Sequence, residues 1–145
     1  MIDNALEQEV ATAVKVEEVE AVFQEVYGAY APAPDGYERR EVSGGLADPE
    51  NMHTYVANNT LVVKNVTPPN PVVRIHGERT AAWTGVNLPL LVEYGNGHGG
   101  FYQVSHGPWA KPRPYTEATR NALRAGKQHV SALKAGLVRQ GLKVE

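Results

Sequence analysis

Residues 3–30 carry apolar side chains at every third or fourth position. Val16, Val19, Phe23, Val26 and Tyr30 form the stripe, with Val22 beside it. That period belongs to one face of a helix and predicts a long N-terminal helix. Asp3 caps its start, and acids in the first turns suit the positive end of the helix dipole. Gly28 and the run Ala31-Pro32-Ala33-Pro34-Asp35-Gly36 end it, because proline cannot continue the hydrogen-bond ladder. The stripe thickens only after Val14, so the first dozen residues are expected to form a looser arm.

The pattern then changes period. Residues 37–51 read as loop, broken by Gly44-Gly45 and Asp48-Pro49. Met52–Ala57 and residues 60–66 are rich in β-branched and aromatic side chains. Asn58-Asn59 between them tolerates the positive φ that a two-residue hairpin turn requires. Beyond the proline-rich break at 67–71, residues 72–75 read as a third strand extending toward Arg79. Leu88–Tyr94 is a short apolar run read as a fourth strand, with Pro89 placing it at an edge or making Leu90 the first paired residue. Residues 95–100 are a glycine-rich loop, and residues 101–104 offer a further short strand. Residues 115–140 follow Pro114 as a second long helix, with Ala118, Ala122, Gly126, Val130, Leu133 and Leu137 on one face. Gly126 and Gly136 each cost such a helix about 1 kcal/mol, which implies a close-packed neighbour.

The expected fold class is α+β, in a single domain over residues 1–145. A small antiparallel sheet of about three to five strands (within 37–104) is flanked by a long N-terminal helix (1–30) and a long C-terminal helix (114–140). The first helix has more apolar stripe than so small a sheet can cover.

Composition narrows the function. The 145 residues, 42% hydrophobic and 21% charged, suit one globular domain. With 0 Cys, a disulfide scaffold, a thiolate zinc site and a cysteine nucleophile are excluded. No apolar run approaches the ~18–20 residues of a bilayer span, so no membrane role is expected. The acidic first twenty residues do not resemble a secretory signal, and a cytoplasmic setting is expected. The net charge of -2 hides a split. Residues 1–30 hold seven acids and one base, and residues 111–145 hold eight bases and two acids, which is -6 against +6. Opposite fields of that size favour pairing within the chain or between copies. The other readings are two solvated helix faces, or a basic C-terminal face against DNA.

Candidate chemistry is sparse. The histidines (His53, His76, His98, His106, His129) are scattered, without the close pair usual in a zinc site. The glycine cluster lacks the Gly-Lys-Ser/Thr of a phosphate loop. Glu93 reads either as a general base or, more simply, as the partner of an arginine, with Arg74, Arg79 and Arg113 as candidates. Asn65-Val66-Thr67 matches a glycosylation acceptor, a match without meaning in the absence of a secretion signal. No catalytic, cofactor-binding or metal-binding residues are assigned, and no enzyme activity is expected.

Two motifs are more specific. Val92-Glu93-Tyr94-Gly95 precedes the glycine-rich loop, and Pro112-Arg113-Pro114-Tyr115, followed by Ala118, opens the basic C-terminal helix. Together they resemble the tailed-phage neck or tail-component family, to which the lambda-type minor tail protein Z is related. The stretch 37–48, with Arg39, Arg40, Gly45 and Leu46, resembles that family's segment before its first hairpin. Asn96 and Tyr115 stand where the family more often has Thr and Phe. The resemblance implies a structural virion protein of the siphophage head–tail junction. Its copies would form a sixfold or twelvefold ring between a head-completion or stopper protein and the tail terminator, with DNA passing through the channel. The alternative is a small cytoplasmic α+β interaction or regulatory module acting as a dimer.

Overall fold

A single helix, α1 (residues 2–27), forms the spine along which the first hairpin and the C-terminal helices pack. The computed structural model describes residues 1–29, 40–69, 73–75, 78–80, 87–95 and 111–144. Helix α1 is α-helical over Ile2–Ala5 and Ala11–Ala21, with wider π-helical turns over Leu6–Val10 and Val22–Tyr27. Gly28 closes it by donating its N–H to the Phe23 carbonyl at 2.8 Å. Tyr30 and the proline-rich terminator at 31–36 lie outside the described residues.

The buried face of α1 coincides with the anticipated stripe only in part: Val22 and Val26 are in the core and Val19 packs against it. Ala5, Leu6, Val10, Ala11, Glu18, Ala21, Val22 and Val26 are buried, whereas Val16 is 53% and Phe23 39% exposed. Each wide turn rotates the following residues relative to a regular helix, so a strict three-and-four count drifts off the true face. The expected loose arm is a packed one: Ala5 is fully buried and Leu6 and Val10 nearly so.

The first hairpin forms as anticipated. Strand β1 (Met52–Ala57) pairs antiparallel with β2 (Thr60–Asn65), from Met52 opposite Asn65 to Ala57 opposite Thr60. Asn58 and Asn59 both take left-handed backbone, with φ of 51° and 56°. Two consecutive positive φ values suit the right-handed twist of the flanking strands. Met52 faces α1 and is fully buried, while Tyr55 on the other face is 55% exposed.

The remaining strands depart from a single sheet. β3 (Val73–Ile75) and β4 (Glu78–Thr80) make a separate two-stranded hairpin, so the third strand turns back on itself before Arg79. The α+β class stands, with two hairpins in place of one wider sheet. Leu88–Tyr94 is a helix, α2, and not a strand. Asn87 caps it by accepting the Leu90 N–H at 3.2 Å, and Pro89 sits in the first turn, where its missing N–H costs nothing. The reading failed because a seven-residue apolar run has no decisive period of its own. Residues 101–104 lie outside the described residues.

The C-terminal helix is also two helices. α3 (Tyr115–Gly126) and α4 (Gln128–Arg139) are separated by Lys127, whose φ of 55° is left-handed. Gly126 contributes the weak helix-former before the break. Both run antiparallel to α1, α3 beside residues 11–27 and α4 beside residues 2–10. Gly136 is the close-packed glycine: a Cβ there would come within 2.6 Å of Glu9 Oε2 and 2.8 Å of Ala5 Cβ. The charge split is partly used at this contact. Arg139 Nε donates to Glu9 Oε1 at 2.7 Å, and its Nη2 donates to Gln8 at 2.8 Å and Asn4 at 3.2 Å.

Candidate functional site

The two motifs, some twenty residues apart in sequence, meet in space. The Arg113 N–H donates to the Val92 carbonyl at 2.9 Å, tying the entry to α3 onto α2. The Thr116 N–H donates to Glu93 Oε2 at 3.0 Å. Thr116 lies in the first turn of α3, where backbone N–H groups have no partner within the helix. A carboxylate there satisfies one of them and meets the positive end of the helix dipole. Glu93 is therefore a helix cap supplied by a neighbouring helix.

The other motif residues divide by burial. Val92 and Tyr115 join Ala21, Val22, Val26, Leu46 and Ala47 in one apolar cluster, with Tyr115 only 2% exposed. Arg113 is buried at the same corner, Pro112 and Pro114 are exposed, and Tyr94 is 54% exposed. Gly95 follows α2 with φ of 79°, the backbone for which glycine is suited.

Beneath the motifs lies a polar knot that the sequence reading missed. Glu18 of α1 is buried and its Oε1 accepts from Asn65 Nδ2 at 3.0 Å. Asn65 Nδ2 also donates to the Leu46 carbonyl at 2.9 Å. Asn65 Oδ1 accepts from the Thr67 N–H and from Thr67 Oγ1, and that hydroxyl also lies within reach of the Gly45 carbonyl. The Asn65-Val66-Thr67 triplet is thus a local turn that locks the hairpin base to loop 44–48 and to α1. The available signal for Glu18 was its place in a second series, Ala11, Val14, Glu18 and Ala21, spaced like a helical face.

Burial pushes the Glu18 carboxyl above its ordinary value, and the neighbouring Glu93 charge adds to this against the Asn65 hydrogen bond and Lys15. Burial, then Glu18 and Glu93, also push the Tyr115 phenol far up, so its hydroxyl stays neutral. A carboxyl whose pKa is raised on folding binds more protons folded than unfolded. Stability then falls as pH rises from the unfolded value through the folded one. Glu18→Gln keeps the acceptor for Asn65 and removes the charge. It is expected to flatten that fall and to raise Tm at neutral pH by about 3–5 °C, the size of a ~1 kcal/mol change in a domain of this length. Melting curves between acid and neutral pH check this, and equal slopes for both proteins would place the proton on another group.

Chemically, the joint is equipped to hold elements together. Among the described residues no group of three or more His, Asp or Glu is placed to hold a metal ion. Among them, too, no helix is long and apolar enough to cross a membrane. Compared with known proteins, residues 1–139 match the model of a family described as YomN. No curated protein and no solved structure matches the chain.

Proposed function

We infer that this chain, which belongs to the YomN family, is a structural virion protein of a tailed-phage head–tail junction. In this reading its copies form a sixfold or twelvefold ring that joins a head-completion or stopper protein to the tail terminator. The observation that carries the reading is the joint at Val92–Arg113 and Glu93–Thr116. The two motifs that resemble the tailed-phage neck or tail-component family, related to lambda-type minor tail protein Z, fold onto one another there. They serve as a corner of the scaffold, as an assembly part requires.

Membership of the YomN family is consistent with a phage origin. The surface supports the same reading. Val16, Tyr55, Val138 and Tyr94 are each more than half exposed, and apolar side chains left outside a small core suit contact with other subunits. Among the described residues the outer edges of the β1–β2 hairpin carry no further strand, and such edges are templates for pairing with another chain.

Deletion of the gene from its phage is expected to give filled heads and free tails that fail to join, seen by electron microscopy. The wild-type gene supplied in trans restores joined particles, and Tyr94→Ala, which keeps the buried joint, restores fewer. Joined, infectious particles at wild-type yield without the gene would sink the reading. A dispensable gene whose product is a stable dimer would instead favour a cytoplasmic interaction or regulatory module.

A further inference from the structure

The intrachain contact between Arg139 and Glu9 consumes only part of the charge split, and the remainder is arranged in space. On α1, Glu20 lies two residues beyond the buried Glu18, which is half a turn around the helix. Glu20 is exposed and Glu17, three residues from it, is half-buried; the exposed Val16 and Phe23 lie four and three residues from Glu20 on the same side. On α3, Arg120 and Arg124 are one turn apart and exposed; the exposed Glu117 precedes them and the exposed Lys127 follows, so this face carries a net positive charge. Arg124 stands five residues from the buried Thr119, again around the far side of its helix. Among the described residues, Glu17, Glu20, Arg120, Arg124 and Lys127 make no ion pair or side-chain hydrogen bond.

Helices α1 and α3 pack against each other through their buried faces. Their outer faces therefore point away from one another, one acidic and apolar, the other basic. Because the two stripes face opposite ways, one twofold contact cannot engage both, and a twofold axis through either stripe alone would set like charges together. The stripes pair head to tail, and a head-to-tail contact between copies closes into a ring or continues as a filament.

We propose that the acidic and apolar stripe of α1 (Val16, Glu17, Glu20, Phe23) docks on the basic stripe of α3 (Arg120, Arg124, Lys127) of a second copy. The proposal rests on the self-assembly reading above and assigns the surfaces that carry it. Val16 and Phe23 supply the apolar centre, and the charges at the rim set register and orientation. The long stems of Arg120 and Arg124 cover apolar surface while their heads reach the carboxylates.

A charge swap tests it. The full-length chain is expected to show a concentration-dependent mass by analytical ultracentrifugation at low salt, weakened at high salt. R120E/R124E and E17K/E20K, each alone, are expected to shift half-association to at least about tenfold higher concentration. Mixing the two variants restores association, because the unaltered α1 stripe of one meets the unaltered α3 stripe of the other and the two altered stripes complement each other in turn. The proposal is overturned by a wild-type chain that stays monomeric, by variants that associate as the wild type does, or by a mixture that shows no rescue. Binding of a short DNA duplex that R120E/R124E alone abolishes, without self-association, assigns the basic stripe to nucleic acid instead. A monomeric chain still required for head–tail joining overturns the stripes and leaves the virion role intact. A self-associating chain that the phage does not need does the reverse.

Discussion

Tyr115→Ala is expected to destabilise the domain by about 3–5 kcal/mol, the cost of removing a large aromatic ring from a packed interior. The ring is 2% exposed and sits among Val22, Val26, Leu46, Ala47 and Val92, drawn from α1, the 40–48 loop and α2. The neighbouring side chains come from three separately anchored elements, which limits how far they can close on the space. Chemical denaturation monitored by far-UV circular dichroism checks the size. Tyr115→Phe keeps the ring and is expected to retain most of the stability, since the buried hydroxyl is neutral throughout the working pH range. A loss below about 1 kcal/mol for the alanine variant would mean that the cluster repacks easily, against its assignment as the centre of the joint.

Gly136→Val is expected to cost about 2–3 kcal/mol by overpacking. A Cβ at this position meets Ala5 Cβ at 2.8 Å and the Glu9 carboxylate at 2.6 Å, and that carboxylate is held by Arg139. Ala5 is attached directly to the α1 backbone, so relief requires the two helices to part. Gly136→Ala is expected to cost less, because the gain of about 1 kcal/mol in helix propensity opposes the clash. An increase in stability for the valine variant would show that α4 has room to slide along α1.

Parts of this architecture were legible in the sequence for physical reasons. The Asn58-Asn59 hairpin could be read because its turn depends on local backbone preferences alone. The α1 helix could be read because it is long enough for its period to emerge. Its buried face was read only in part, since the wide turns at 6–10 and 22–27 rotate the register and no residue type announces them. Leu88–Tyr94 was taken for a strand because Leu, Val and Tyr serve either state, although Asn87 and Pro89 together mark a helix start. The break at Lys127 was missed because lysine is a good helix former whose left-handed backbone here is imposed by context. At the joint, the two motifs meet in space, but the contacts that join them were not foreseen. Thr116 acts through its backbone N–H, and Glu18 and Asn65 lie 75 and 28 residues upstream of Glu93, counted directly along the chain. Contacts of that kind leave no local trace.

The break at Lys127 has a consequence for how the chain opens. The leading end of most domains frays independently of the rest. Here the opening segment is gripped by the closing one, as α4 clasps residues 2–10 through Gly136 and Arg139. Neither extremity can peel away without unseating the other. The bend at Lys127 lets α3 keep its own hold farther along α1 while α4 lets go. The polypeptide is thereby buckled shut at its two tips, with a separate catch for each half of the spine.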